Sequence, residues 1–118
     1  MIDILTELME LLREYNIYLD DLPLNYDWER NLCGVFAIMD TVEEDENTYN
    51  YDLKIYVEAY NKDKMYQLGV VDELTKILTR RRMESGWIIP KNAYINHYTE
   101  GDKTSYILEF WVKTYGSN

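Results

Sequence analysis

Apolar residues recur at helical spacing at the start of the chain. Across the segment 2–15 they occupy every third or fourth position, and charged residues such as Glu7 and Glu14 fall between them. The apolar residues of this segment are Ile2, Ile4, Leu5, Leu8, Met9, Leu11, Leu12 and Tyr15. The pattern predicts an amphipathic helix over 2–15, and Asn16 is suited to end it.

Three strands are predicted in the next part of the chain. Residues 17–19 are compatible with a short strand, and an irregular connection over 20–33 follows. The apolar run 35–39 lies between a glycine and an acidic stretch, which is typical of a buried strand. In the segment 51–60 every second residue is apolar, and this alternation predicts a strand with one face against a core.

A second helix is predicted after residue 60. Asn61 or Asp63 can cap its start. Its apolar residues recur at steps of three and four and are Met65, Leu68, Val71, Leu74, Ile77 and Leu78. Three consecutive arginines, Arg80, Arg81 and Arg82, are predicted to close the helix, where the helix dipole favours cations, and Ser85-Gly86 is predicted to end it.

Two strand patterns complete the chain. The segments 87–99 and 104–115 alternate apolar and polar residues, and the sequence Glu100-Gly101-Asp102-Lys103 between them has the composition of a turn. The order of helix, short strand, strand hairpin, helix and strand hairpin predicts an α+β fold. We expect one domain over 1–118, with a mainly antiparallel sheet backed by two helices on one face.

The charge balance excludes some partners. Twelve basic and 22 acidic residues give a net charge of −10. Because such a surface repels phosphates, we expect neither sequence-specific nucleic-acid binding nor binding to an anionic membrane. No apolar run approaches the roughly 20 residues that span a bilayer, the start of the chain carries no signal peptide, and one cysteine cannot form an internal disulfide. These features predict a soluble protein made in a reducing cytoplasm.

Residues that support catalysis are scarce. His97 lies in a predicted strand without an obvious partner, and Cys33 is the one cysteine, so a metal site built from nitrogen and sulfur ligands is not expected. The five glycines are scattered and form no phosphate-binding loop. Asp40 and the acidic run 43–46 lack the spacing of a calcium loop and are interpreted as a solvated loop. We therefore predict no enzyme activity, no cofactor and no metal.

Aromatic residues are in surplus. Twelve tyrosines and three tryptophans exceed what a small core encloses, so some are expected at the surface, and protein interfaces are enriched in them. The alternative is that helices cover both faces of the sheet, or that tyrosines shield its edges. The residues predicted to contact other subunits or partner proteins are Tyr56, Tyr60 and Trp111 on the polar faces of their strands, and the forked donors of Arg80, Arg81 and Arg82.

The order of these elements resembles the tail terminator proteins of long-tailed phages, also called tail completion or head-to-tail joining proteins. The resemblance covers nearly the whole chain and rests on element order, length and the strand-then-helix passage Leu53 to Leu78. It implies a virion structural protein, assembled in the host cytoplasm, that forms a hexameric ring. Such a ring caps the tail tube, stops its growth and docks the head connector, so its partners are other copies, the tail tube protein and head connector proteins.

The resemblance also implies that DNA passes through the ring. We hypothesise that Glu43, Glu44, Asp45 and Glu46 line this channel, because four adjacent carboxylates repel DNA and prevent it from sticking. Neutralising all four should slow genome ejection or leave DNA retained. An unchanged ejection rate would remove the hypothesis.

Three other functions remain open from the sequence. A neck head-closure or minor capsid protein would share the virion and the ring symmetry. An acidic inhibitor that mimics DNA would suit the charge of −10, and its carboxylates should follow one face, whereas here they are spread over the first helix, residues 20–21 and the loop. A small enzyme with carboxylate chemistry is the third alternative.

Overall fold

The computed structural model describes residues 1–42 and 49–115, apart from the side chain of Ala93. Its helices are α1 (Ile2–Leu11) and α2 (Lys64–Leu78), with short 3₁₀ turns at Arg13–Tyr15 and Asn61–Asp63. Its strands are β1 (Tyr18–Leu19), β2 (Gly34–Thr41), β3 (Tyr51–Tyr60), β4 (Arg81–Arg82), β5 (Gly86–Glu100) and β6 (Lys103–Thr114).

The strands form a six-stranded sheet in the order β1-β2-β3-β6-β5-β4. The β1–β2 pair is parallel and the other neighbouring pairs are antiparallel. The β5–β6 register shifts between Pro90 and Ile95. The predicted α+β class with a mainly antiparallel sheet is confirmed.

The core lies between one face of this sheet and the two helices. The buried cluster takes alternate residues from β3 and β6, which pair across the centre of the sheet, and adds side chains from α1 and α2. Its fully buried large side chains include Ile4, Leu8, Leu12, Leu53, Ile55, Leu74, Leu78, Leu108 and Phe110. Burying each such side chain contributes about 1.5–3 kcal/mol, so this layer dominates the stability of the fold.

Helix α1 follows its predicted stripe except at its start. Ile4, Leu8 and Leu12 are buried, whereas the side chain of Ile2 is 79% exposed. The regular helix ends at Leu11, and a 3₁₀ turn continues to Tyr15. Asn16 ends this turn with a φ of 50°, the left-handed conformation that asparagine tolerates well.

The predicted core face of α2 is partly wrong. Met65 is 82% exposed and Leu68 is also exposed, whereas the polar residue Gln67 is completely buried. Gln67 is accommodated because its Nε2 donates to the backbone oxygens of Val57 at 2.8 Å and Thr104 at 2.7 Å. The buried face is therefore rotated toward Gln67, Val70, Val71, Leu74 and Leu78.

The predicted start of α2 is confirmed in position but not in its capping bond, and the predicted end is wrong. Asp63 occupies the N-cap position without a side-chain capping bond, and Asn61 instead accepts a hydrogen bond from the Thr104 hydroxyl at 2.7 Å. The helix ends at Leu78 and does not continue to the arginines or to Ser85-Gly86.

The three arginines belong to a chain reversal. Thr79 is extended and Arg80 has a φ of 53°, which turns the chain so that Arg81 and Arg82 form β4 against Ile88 and Trp87. The prediction that these arginines close the helix is therefore wrong. Arg81 and Arg82 lie at the sheet edge, where β5 provides their backbone partners.

Candidate interaction surface

The face of the sheet opposite the helices, called the outer face here, carries alternating polar and aromatic residues. The β3–β6 register places Tyr56 opposite Ile107, Trp111 opposite Asp52, and Tyr60 opposite Lys103. The three aromatic residues are each partly exposed, while their neighbours along the strands are buried. This confirms their predicted position on the polar faces of β3 and β6.

Trp111 is held by contacts on its own chain. Its ring stacks on Tyr49 at 5.5 Å between centroids, with 5° between the planes, and the Lys91 ammonium lies 4.3 Å from the ring centroid. Lys91 Nζ is also 2.9 Å from Asp52 Oδ1 and 3.7 Å from Glu109 Oε1. Because these contacts restrict the indole before any partner arrives, binding through it costs little side-chain entropy.

Tyr56 belongs to a second aromatic pair on this face. Its ring stacks on Phe36 at 4.6 Å with 4° between the planes. Phe36 is only 6% exposed. The outer face thus buries part of its own aromatic surface around β2 and β3.

Tyr60 is covered by the connection 20–33. Its ring meets Trp28 edge to face at 5.4 Å, and Lys103 Nζ lies 5.3 Å from the Trp28 ring. Lys103 also pairs with Glu58 at 3.5 Å. No periodic pattern in this connection indicated that Trp28 reaches the strand.

A groove of about 700 Å³ opens beside Trp111. Three aromatic residues (Tyr49, Trp87 and Trp111) and three cations (Arg80, Lys91 and Lys113) contribute most of its lining. We call it the cationic groove. Its residues come from distant parts of the sequence, and only Arg80 and Trp111 among them were predicted to have a binding role.

The arginine cluster divides between two surfaces. Arg80 lines the cationic groove, and the Arg82 guanidinium lies 4.2 Å from the Trp87 ring centroid and donates to the Tyr115 hydroxyl at 3.3 Å. Arg81 is directly opposite Ile88 in the strand pair, and Ile88 is buried in the core. Because opposite residues of an antiparallel pair point to the same face, the Arg81 side chain lies on the helix side of the sheet. The structure therefore brings Arg80 and Arg82 to the Trp111 end of the outer face, whereas Arg81 lines a second cavity beside α1, to which Arg82 also contributes.

The predicted channel residues Glu43, Glu44, Asp45 and Glu46 lie outside the described residues. Their position in the DNA channel stays a prediction. The segment is bracketed by a hydrogen bond from the Val42 N–H to the Asn50 oxygen at 3.1 Å.

The residues considered for catalysis lie apart from one another. His97 is exposed on β5, with its ring 5.3 Å from that of Tyr106. Burial raises the pKa of the Cys33 thiol to about 11, so the thiol stays protonated near neutral pH and is a weak nucleophile. Within 1–42 and 49–115, no group of three or more His, Cys, Asp or Glu residues is placed to hold a metal ion.

Neither α1 nor α2 has the length and apolar character needed to cross a membrane, and the same holds for every helix in the described part of the chain.

The sequence matches no model of a known protein family, and no curated protein matches it.

Proposed function

We propose that this chain is a non-enzymatic structural protein of a long-tailed phage virion. In this proposal it forms a ring at the end of the tail tube, stops tube growth and joins the tail to the head. The observation that carries the proposal is the outer face, where partly exposed aromatic rings are fixed on a rigid sheet beside the cationic groove. Preorganised aromatic residues of this kind are typical anchors of protein interfaces.

The edges of the sheet also support assembly. Beyond its short pairing with β4, β5 is an edge strand, and residues 95–100 are all exposed. They include Ile95 at 41% and Tyr98 at 48% exposure. The stretch 92–99 contains no Asp, Glu, Lys or Arg, although charged side chains commonly protect exposed edges. An uncharged edge of this length favours a role in contact with another chain.

The carboxylates of the outer face favour assembly over DNA mimicry. Asp52 and Glu109 pair with Lys91, and Glu58 pairs with Lys103. A DNA mimic needs carboxylates that stay available for the cations of a nucleic-acid site. These three carboxylates hold the sheet's own cations, so the mimic remains the weaker alternative.

Electron microscopy with isolated tail tubes tests the proposal. Tubes incubated with the purified chain should carry a ring at one end and should stop elongating when tube protein is added. Light scattering on the purified chain measures its oligomeric state in parallel. Binding to head connectors but not to tubes would instead indicate a head-closure protein, and a stable monomer that inhibits a nuclease would indicate the mimic.

A further inference from the structure

We infer that copies of this chain join head to tail, with the acidic edge segment Tyr18-Leu19-Asp20-Asp21 of one copy seated in the cationic groove of the next. The inference rests on the proposed ring assembly and names the contact that would close it. Each copy carries both surfaces. It therefore contacts one neighbour through its cationic groove and another neighbour through its acidic edge segment.

Two cations of the cationic groove have no carboxylate partner among the described residues. Lys91 is already paired with Asp52 and Glu109, but neither Arg80 nor Lys113 makes an ion pair within the described part of the chain. The indole rings of Trp87 and Trp111 line the groove together with these cations. A groove of this kind fits a short segment that presents both carboxylates and apolar side chains.

The acidic edge segment has that chemistry. Tyr18 is 39% exposed and Leu19 is 50% exposed. Asp20 and Asp21 follow directly, are both exposed, and form no ion pair with any residue that the structure describes. Large apolar and acidic side chains are therefore adjacent on one exposed strand end.

The segment is short but held in place. The Asp20 N–H donates to the Ala37 oxygen at 2.9 Å, and the Asp21 N–H donates to the Leu19 oxygen at 2.9 Å. Asp20 has a φ of 71°, a conformation that bends the chain out of the strand. These bonds fix the backbone that carries both carboxylates, and Asp21 Oδ1 also accepts a hydrogen bond from the Leu22 N–H at 2.7 Å.

The two surfaces lie at opposite edges of the sheet. The segment includes β1, the first strand in the order, whereas the groove lies at β5 and the entry to β4, the last strand. Six strands spaced by about 4.8 Å separate these edges by roughly 24 Å, so the two surfaces cannot meet within one copy. Between copies they form a contact of two unlike surfaces, which closes a ring when repeated by rotation.

Charge also favours a second copy as the occupant. With a net charge of −10, two copies repel each other in most orientations. An orientation that places Asp20 and Asp21 against Arg80 and Lys113 removes this repulsion locally and adds attraction. The unlike patches thus select one relative orientation out of many.

Exchanging one charge on each side tests the contact. Lys113→Glu alone and Asp21→Lys alone should each weaken self-association at least about tenfold, measured by sedimentation equilibrium up to millimolar concentration. The double variant Lys113→Glu/Asp21→Lys carries a reversed pair and should recover most of the affinity. An equimolar mixture of the two single variants should also assemble, because each supplies a matching partner surface.

Lys62→Glu and Asp72→Lys make the same charge changes at exposed positions on α2 and the turn that leads into it, and they should leave association unchanged. Circular dichroism confirms that each variant is folded. Single variants that assemble like the native chain, a folded double variant without recovery, or a native chain that stays monomeric would each overturn the inference. Tube-end binding is measured separately, so assembly without tube binding would contradict the proposed function and leave this contact standing.

Discussion

Replacing Gln67 by glutamate is expected to lower the free energy of unfolding by about 3–5 kcal/mol at neutral pH, because it places an unpaired charge in the core. Gln67 is completely buried, and its Nε2 donates to the Val57 and Thr104 oxygens. A carboxylate would face those two acceptors and could donate to neither. The deficit should shrink as the pH falls, because the buried carboxyl group can then be protonated. Urea unfolding followed by circular dichroism at several pH values measures it.

Gln67→Met is the matched control. It keeps a side chain of similar length and also removes both hydrogen bonds, so it should cost about 1–3 kcal/mol with no comparable dependence on pH. Part of this cost is offset, because Gln67 Oε1 is buried without a hydrogen-bond partner and methionine removes that unpaired oxygen. A Gln67→Glu variant as stable as Gln67→Met at neutral pH would show that water reaches this position.

Replacing Trp111 by alanine is expected to weaken assembly by about 30- to 1000-fold, the usual effect of removing an aromatic anchor worth about 2–4 kcal/mol at an interface. The monomer should remain folded, because Trp111 lies on the outer face and not in the layer beneath the helices. Its contacts with Tyr49 and Lys91 would be lost, which predicts a small loss of monomer stability. Sedimentation equilibrium and tube-end binding measure assembly, and thermal unfolding measures stability.

Tyr66→Ala provides the comparison. Tyr66 is 53% exposed on α2, the opposite layer of the molecule, so its removal should not change assembly. A Trp111→Ala variant that remains fully oligomeric would contradict the assignment of Trp111 to the interface.

The pattern of the sequence was sufficient where one local preference dominates. The alternation from Tyr51 to Tyr60 predicted β3, its buried face and its outward tyrosines, because a strand buried on one side must alternate. Prediction from the apolar pattern failed in α2, because apolar spacing alone cannot show that the polar side chain of Gln67 finds two carbonyl partners on the sheet. Arg81 and Arg82 were placed in the helix for a similar reason, since their strand partners in β5 come later in the chain.

The cationic groove could not be predicted from local patterns. Lys91 and Trp111 meet because the β5–β6 register aligns their strands, and that register shifts between Pro90 and Ile95. A shift of one residue moves a side chain to the other face of a sheet. Sequence periodicity fixes which face a residue takes within a strand, but it does not fix the neighbours that pairing brings beside it.

The packing of Trp28 over Tyr60 gives the molecule a direction. At one end of the β3–β6 pair the chain's own connection packs Trp28 on Tyr60, while at the other end the described residues form the cationic groove beside Trp111. A closed assembly built from such a polar subunit has two chemically different rims. A coupling between two unlike structures requires that asymmetry, since identical rims would bind the same neighbour above and below.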